Sequence, residues 1–234
     1  MIYLPRLDHR LWFPPVGEAN AYGMLAFGGD LRLERLLLAY REGIFPWYEP
    51  GEPIVWWSPN PRFVMHPGEV VIQKSMRPVL RRHFRITFDR AFQEVIAACR
   101  KTLRKGQEDT WITDEMQAAY IGLHQAGYAH SVEVWHGDQM VGGLYGVAMG
   151  RAFFGESMFS KQSNASKAGF IQLCRTLEAQ RFSLIDCQVH SDHLERLGAY
   201  HIPRKQFMEE LHQALEAPAP PHCWREWEGC HWFH

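Results

Sequence analysis

Residues 130–157 read HSVEVWHGDQMVGGLYGVAMGRAFFGES, three β-rich segments parted only by the turn signals HGD and MG. Strands joined by so few residues must lie antiparallel and side by side, so the chain is committed to a β-meander. Asn164 then opens a helix running to about Gln180, and SLIDCQVHSDHLERLGA (183–199) reads as a buried strand, Leu184, Ile185 and Val189 inward, and a helix ended by Gly198. Pro203 suits the first turn of a last helix. Meander, helix, strand, helix is an α+β order, not that of a doubly wound sheet.

Upstream, Asp30 is expected to cap a helix with Leu33, Leu36, Leu37 and Tyr40 as its apolar stripe. Asp89 is expected to cap one that turns Phe92, Val95, Ile96 and Cys99 inward, and Thr113 one carrying Met116, Tyr120 and Leu123. VVIQ (70–73) reads as a strand. IFPWYEPGEPIVWWSPNPRF holds five prolines, too many for regular elements, so it predicts an ordered loop or a domain boundary near 58–66. The resulting division is a small N-terminal α/β domain (1–63) and a larger C-terminal domain (64–234). The tail from Ala217 is expected to be irregular.

A net charge of −1 gives no global positive field, so any nucleic-acid contact must be local. The longest basic run is KSMRPVLRRHFR, with Lys74, Arg77, Arg81, Arg82 and Arg85 and no acid, which is either a solvated face or a phosphate-contacting patch. Five cysteines without C-x-x-C spacing point to reduced thiols and the cytoplasm. No run reaches the roughly 20 apolar residues a membrane span needs, and the N-terminus carries no secretory apolar core.

Within LIDCQV, Asp186 and Gln188 are two residues apart on a strand and therefore share a face. A carboxylate and an amide so placed fit either a catalytic pair or a structural pair that orients the following HSDH turn. The element order is also that of an acetyltransferase-like (GNAT) core. FSKQSNASKAG, however, has no glycine before Gly169 and so lacks the loop that would cradle a coenzyme A pyrophosphate. The acyl donor must be something else.

GGDLRLERLLLAYREGIFPW (28–47), WWSPNPR (56–62), TWIT (110–113), HSVEVW (130–135), GGLYGVAMG (142–150), GESMFS (155–160) with NASK (164–167), and LIDCQV (184–189) occur in this order. Together they closely resemble the bacterial leucyl/phenylalanyl-tRNA–protein transferases, over roughly residues 12–211. The resemblance implies a small N-terminal domain on a GNAT-like C-terminal domain with a mixed sheet. It implies transfer of Leu or Phe, and Met less well, from aminoacyl-tRNA to the N-terminal Arg or Lys of an acceptor protein, which marks the acceptor for N-degron degradation. By the same resemblance, Gln188 positions the incoming amine with Asp186 as the charge behind it. Leu144, Phe153, Met158, Phe170, Leu173 and Ile185 line the donor side-chain pocket, although any one of them alone reads first as plain core and only the set argues for a pocket. Glu156 is the candidate partner of the donor's α-amine, and Trp47 and Trp111 flank the terminal adenosine. The basic run then faces the acceptor arm of the tRNA. Aminolysis of an aminoacyl ester is downhill, so no cofactor and no metal is expected, and the protein is expected to be a monomer. Two other classes compete: a non-catalytic RNA-binding module, and a metal-dependent hydrolase using Cys187, His190, Asp192 and His193 or the His- and Cys-rich tail.

Overall fold

The computed structural model describes residues 4–82, 84–102, 112–220 and 223–227. Two sheets form. The first holds β1 (Arg6–Leu7), β2 (Met24–Gly28), β3 (Phe45–Pro46) and β4 (Val55–Trp57) in the order β1-β2-β4-β3, with α1 (Leu33–Arg41) between β2 and β3 in the chain. The second is built from β5 (Arg62–Met65), β6 (Arg85–Phe88), β7 (Ala129–His136), β8 (Gln139–Met149), β9 (Ala152–Ser160), β10 (Leu184–Gln188) and β11 (Tyr200–Ile202). Its order is β11-β5-β10-β9-β8-β7-β6, and of its pairings only β9 with β10 is parallel. The fold is thus α+β with mixed sheets.

The helices are α1, α2 (Met76–Arg82), α3 (Phe92–Lys101), α4 (Asp114–Gln125), α5 (Ala165–Ala179), α6 (Asp192–Glu195) and α7 (Arg204–Glu216). Strand alternation divides the core between the faces of the second sheet. Val64, Phe154 and Leu184 meet buried residues of α1, α3, α4 and α7 on one face. Phe63, Met65, Phe153 and Ile185 meet those of α5 on the other.

The meander forms as expected, with β7 and β8 joined at Gly137–Asp138 and β8 and β9 at Gly150–Arg151. Thr113 caps α4, its Oγ1 accepting the Met116 N–H at 3.1 Å. Asp30 and Asp89 do not cap. Asp30 accepts the N–H of Arg32, two residues on, and pairs with Arg35, while Arg32 is the cap residue of α1. The Asp89 carboxylate is taken by Ser131 N–H and His130 Nδ1, at 2.8 and 2.7 Å. Buried Glu133 reaches the start of α3 instead, accepting the Ala91 and Arg90 N–H groups.

Residues 70–73 are not a strand, because no neighbouring strand pairs with them, whereas the Pro-rich 58–66 stretch contributes β5 to the sheet. Part of the tail is ordered: Trp224–Trp227 forms a 3-10 turn, and Trp224 stacks on His130 with centroids 4.0 Å apart. No helix among the described residues is long and apolar enough to cross a membrane.

Candidate active site

The site begins with two irregularities on adjacent strands. On β9, Ser157 faces Tyr145 and Gly155 faces Gly146, so Glu156 is the extra residue of a β-bulge. The bulge resets the alternation: Phe153 and Met158, five residues apart, both join the α5-side core, while Phe154 and Phe159 join the other. Gly146 opposite is the residue that lets the strands close, since a Cβ there would lie 2.2 Å from the Phe154 carbonyl oxygen. On β10 the strand ends in a γ-turn, with Val189 N–H donating to the Cys187 carbonyl at 2.8 Å and Gln188 at φ 65. That is the rare, strained γ form, and strain of this kind gathers at functional positions. The turn also throws Val189, expected inward, out to 38% exposure.

These two devices aim Glu156 and Gln188 at each other. Gln188 Nε2 donates to Glu156 Oε1 at 2.9 Å. Tyr40 from α1 donates to the same oxygen at 2.7 Å, and Tyr120 from α4 donates to Oε2 at 2.8 Å. The two hydroxyls also lie 2.5 Å apart. Burial pushes the Glu156 carboxyl up to about 7, and these three donors and the nearby Asp186 charge only modify that effect. Burial likewise drives the Tyr40 and Tyr120 hydroxyls well above their ordinary range, so both serve as donors.

Simple alternation does not hold between Asp186 and Gln188, because β10 shifts register against β5 between them, and the Asp186 carboxylate is engaged elsewhere. Arg62 of β5 grips it through Nε and Nη2 at 2.8 and 2.7 Å, and both side chains are almost wholly buried. The Gln188 backbone N–H donates to Asp186 Oδ1 at 2.9 Å. The guanidinium is itself held over the Phe45 and Phe207 rings, at 4.8 and 4.5 Å. The ion pair fixes the γ-turn from below.

Leu144, Phe153, Met158, Phe170, Leu173 and Ile185 fall into one apolar cluster under α5, with Leu144 opposite Met158 and Phe153 opposite Ile185. Five are buried and Met158 is half-buried. Trp47 lies in the first sheet's part of the chain, packed 5.5 Å from Trp57 and against the same core as Tyr40. Trp111 lies outside the described residues. Lys74, Arg77, Arg81 and Arg85 are exposed, on and beside α2, and Arg85 sits over the Trp135 ring. The Arg82 side chain lies outside the described set. Two open cavities, of about 560 Å³ beside Trp135 and about 580 Å³ beside His130 and Trp224, contain none of the expected pocket residues.

Three residues that complete the site, Arg62, Tyr40 and Tyr120, are absent from the sequence expectation. The tyrosines read as core stripes because their rings are core; only the need of a buried hydroxyl for a partner hinted at more. Among the described residues the one metal-like grouping is His190, Asp192 and Glu195, all exposed. His190 and Asp192 pair there, whereas Cys187 is buried in the α5-side core.

The leucyl/phenylalanyl-tRNA protein transferase profile matches residues 64–212, and the profile of that family's N-terminal domain matches residues 29–60. A leucyl/phenylalanyl-tRNA–protein transferase of Syntrophus aciditrophicus is 58% identical over 207 residues, 88% of this chain and 87% of that protein. Proteins of the same name from Flavobacterium johnsoniae and Myxococcus xanthus are 54% and 47% identical, over 86% and 96% of this chain and 95% and 97% of their own lengths. Solved structures resemble it only distantly; L-PGS from Bacillus licheniformis covers 71% of this chain and 53% of its own at a TM-score of 0.40 and 11% identity. The chain is therefore an enzyme of the transferase class. It belongs to the leucyl/phenylalanyl-tRNA protein transferase family.

Proposed function

We propose that this chain moves Leu or Phe, and less readily Met, from aminoacyl-tRNA to the N-terminal Arg or Lys of an acceptor protein, forming a peptide bond. The observation that carries the reading is the β9 bulge. It presents Glu156 to Gln188 while keeping Phe153 and Met158 on the apolar side, so one strand serves both a polar centre and a greasy donor site. The ester brings its own activation, and the protein need only hold it against a deprotonated amine. An α-amine has a pKa of about 7.7–8.0, so a modest pull suffices. An apolar pocket separates side chains by only about 1–3 kcal/mol per methylene, which suits a donor set of several large apolar residues.

In the same reading Trp47 and Trp111 stack on the terminal adenosine, worth about 1–3 kcal/mol per base. Lys74, Arg77, Arg81, Arg82 and Arg85 meet acceptor-arm phosphates. The domain division falls at residue 63, the second domain is GNAT-like, and the enzyme works as a cytoplasmic monomer feeding N-degron degradation. In the chain, β4 of the first sheet ends at Trp57 and β5 of the second begins at Arg62, so the passage between sheets lies a few residues before 63, which is itself within β5. The test mixes purified protein, radiolabelled Leu-tRNA and a protein beginning with Arg, without ATP, added metal or coenzyme A. Label appearing in the acceptor supports the reading; tRNA binding without transfer would leave the RNA-binding alternative.

A further inference from the structure

Aminolysis needs a group that takes a proton from the attacking ammonium, and Asp186, Gln188 and Glu156 stand at the site. Asp186 is shut out. Its Oδ1 already accepts Arg62 Nε and the Gln188 N–H, its Oδ2 accepts Arg62 Nη2, and the residue has no exposed surface. Gln188 is a neutral amide whose NH2 end is turned toward Glu156. Its Oε1 is left as a hydrogen-bond acceptor with no ability to carry the proton away.

Glu156 differs in both respects. A carboxylate offers about four lone-pair positions. Tyr40 and Gln188 occupy both on Oε1, and Tyr120 occupies one on Oε2. One position on Oε2 remains, on a half-buried residue whose other oxygen is bound by the Gln188 amide. This one hydrogen-bonded pair thus offers two acceptors, the anionic Glu156 carboxylate and the Gln188 carbonyl, the groups an N–H-rich nitrogen needs.

We infer that Glu156 is the general base for the acceptor's α-ammonium, with Gln188 Oε1 holding that nitrogen and the Arg62–Asp186 pair acting only to position Gln188. The inference rests on the transfer reading above. Glu156 accepts one proton from the ammonium. The freed amine attacks the ester carbonyl, the C–N bond forms, and the C–O bond to the ribose breaks. The second proton of the nitrogen passes to the departing ribose oxygen, and Glu156 returns its proton to solvent. A carboxyl pushed up to about 7 is matched to an amine of about 7.7–8.0. The groups facing it are Tyr40 from α1, Tyr120 from α4 and Gln188 from β10, with Tyr145 of β8 edge-on to Tyr120 and the Arg62–Asp186 pair behind Gln188.

The experiment compares wild type with Glu156→Gln on two acceptors. One is a peptide headed by Arg; the other carries an aminooxy group in place of its α-amine, which is largely unprotonated at neutral pH. Binding of Leu-tRNA is measured alongside. With the ordinary peptide, Glu156→Gln is expected to be slowed by about 100-fold or more. With the aminooxy peptide it is expected within about tenfold of wild type, at unchanged Leu-tRNA affinity. Full activity on the ordinary peptide overturns the inference, as does equal slowing on both acceptors with weakened Leu-tRNA binding, which would make Glu156 the donor's anchor. Failure of wild type on the ordinary peptide would instead overturn the transfer reading itself.

Discussion

Asp186→Asn is a direct test of the ion pair beneath the γ-turn. Arg62 and Asp186 have 1% and 0% of their side chains exposed, and two parallel hydrogen bonds of 2.8 and 2.7 Å join them. The asparagine retains the shape and one acceptor oxygen but leaves the guanidinium as an uncompensated charge in the core. Removing one member of such a pair costs about 3–5 kcal/mol. For a chain of this size that is a fall in Tm of about 6–20 °C. The Phe45 and Phe207 rings hold the guanidinium in wild type and variant alike, so they cancel in the comparison and the full range is expected. Replacing both members, Arg62→Met with Asp186→Leu, removes the buried charges together and is expected within about 2 kcal/mol of wild type. Urea unfolding followed by circular dichroism measures all three proteins. A loss below about 1 kcal/mol for Asp186→Asn, the size of an exposed pair, would show that Asp186 is hydrated. The ground for excluding it as the proton acceptor would then be gone.

The Glu156 carboxyl stands at about 7 in the folded chain against 4.5 as its ordinary value, so the folded state keeps a proton that the unfolded state releases between those values. Stability therefore falls as pH rises across that window, by about 2–3 kcal/mol once its half-open position is allowed for. Glu156→Gln should flatten this fall and be more stable than wild type at pH 8 while losing transfer; urea midpoints at pH 5 and pH 8 report it. Gly146→Ala places a methyl where the Phe154 oxygen stands and should cost at least about 1–3 kcal/mol by overpacking. Because the bulge must shift to admit it, transfer should fall too, and an active, fully stable variant would argue against the bulge geometry. Arg77→Ala with Arg81→Ala should flatten the dependence of log affinity for Leu-tRNA on log salt by about 1–2, and an unchanged slope would remove α2 from the tRNA surface.

What the sequence discloses follows the range of the interactions involved. The meander is legible because HGD and MG are local turn signals, and Thr113 because its partner, Met116, is three residues away. Asp30 and Asp89 mislead because a carboxylate before a helix can be claimed by something else, here Arg35 and the β7 residues His130 and Ser131. Arg62 closes the WWSPNPR stretch yet carries no mark of its role, since its partner lies 124 residues on. The bulge at Glu156 is compositionally silent. Strict alternation would have put Phe153 and Met158 on opposite faces, and the family resemblance, not periodicity, grouped them. Gln188 at positive φ is equally silent, because only glycine or asparagine normally advertises that conformation.

The most direct test of the whole account is a crystal structure of the protein bound to a non-hydrolysable leucyl-adenosine mimic. The leucyl side chain should lie between Phe153 and Met158, with its carbonyl carbon reached from the Glu156–Gln188 side of the bulge. A mimic seated instead in the cavity beside His130 and Trp224, or one whose carbonyl faces away from Glu156, would contradict it.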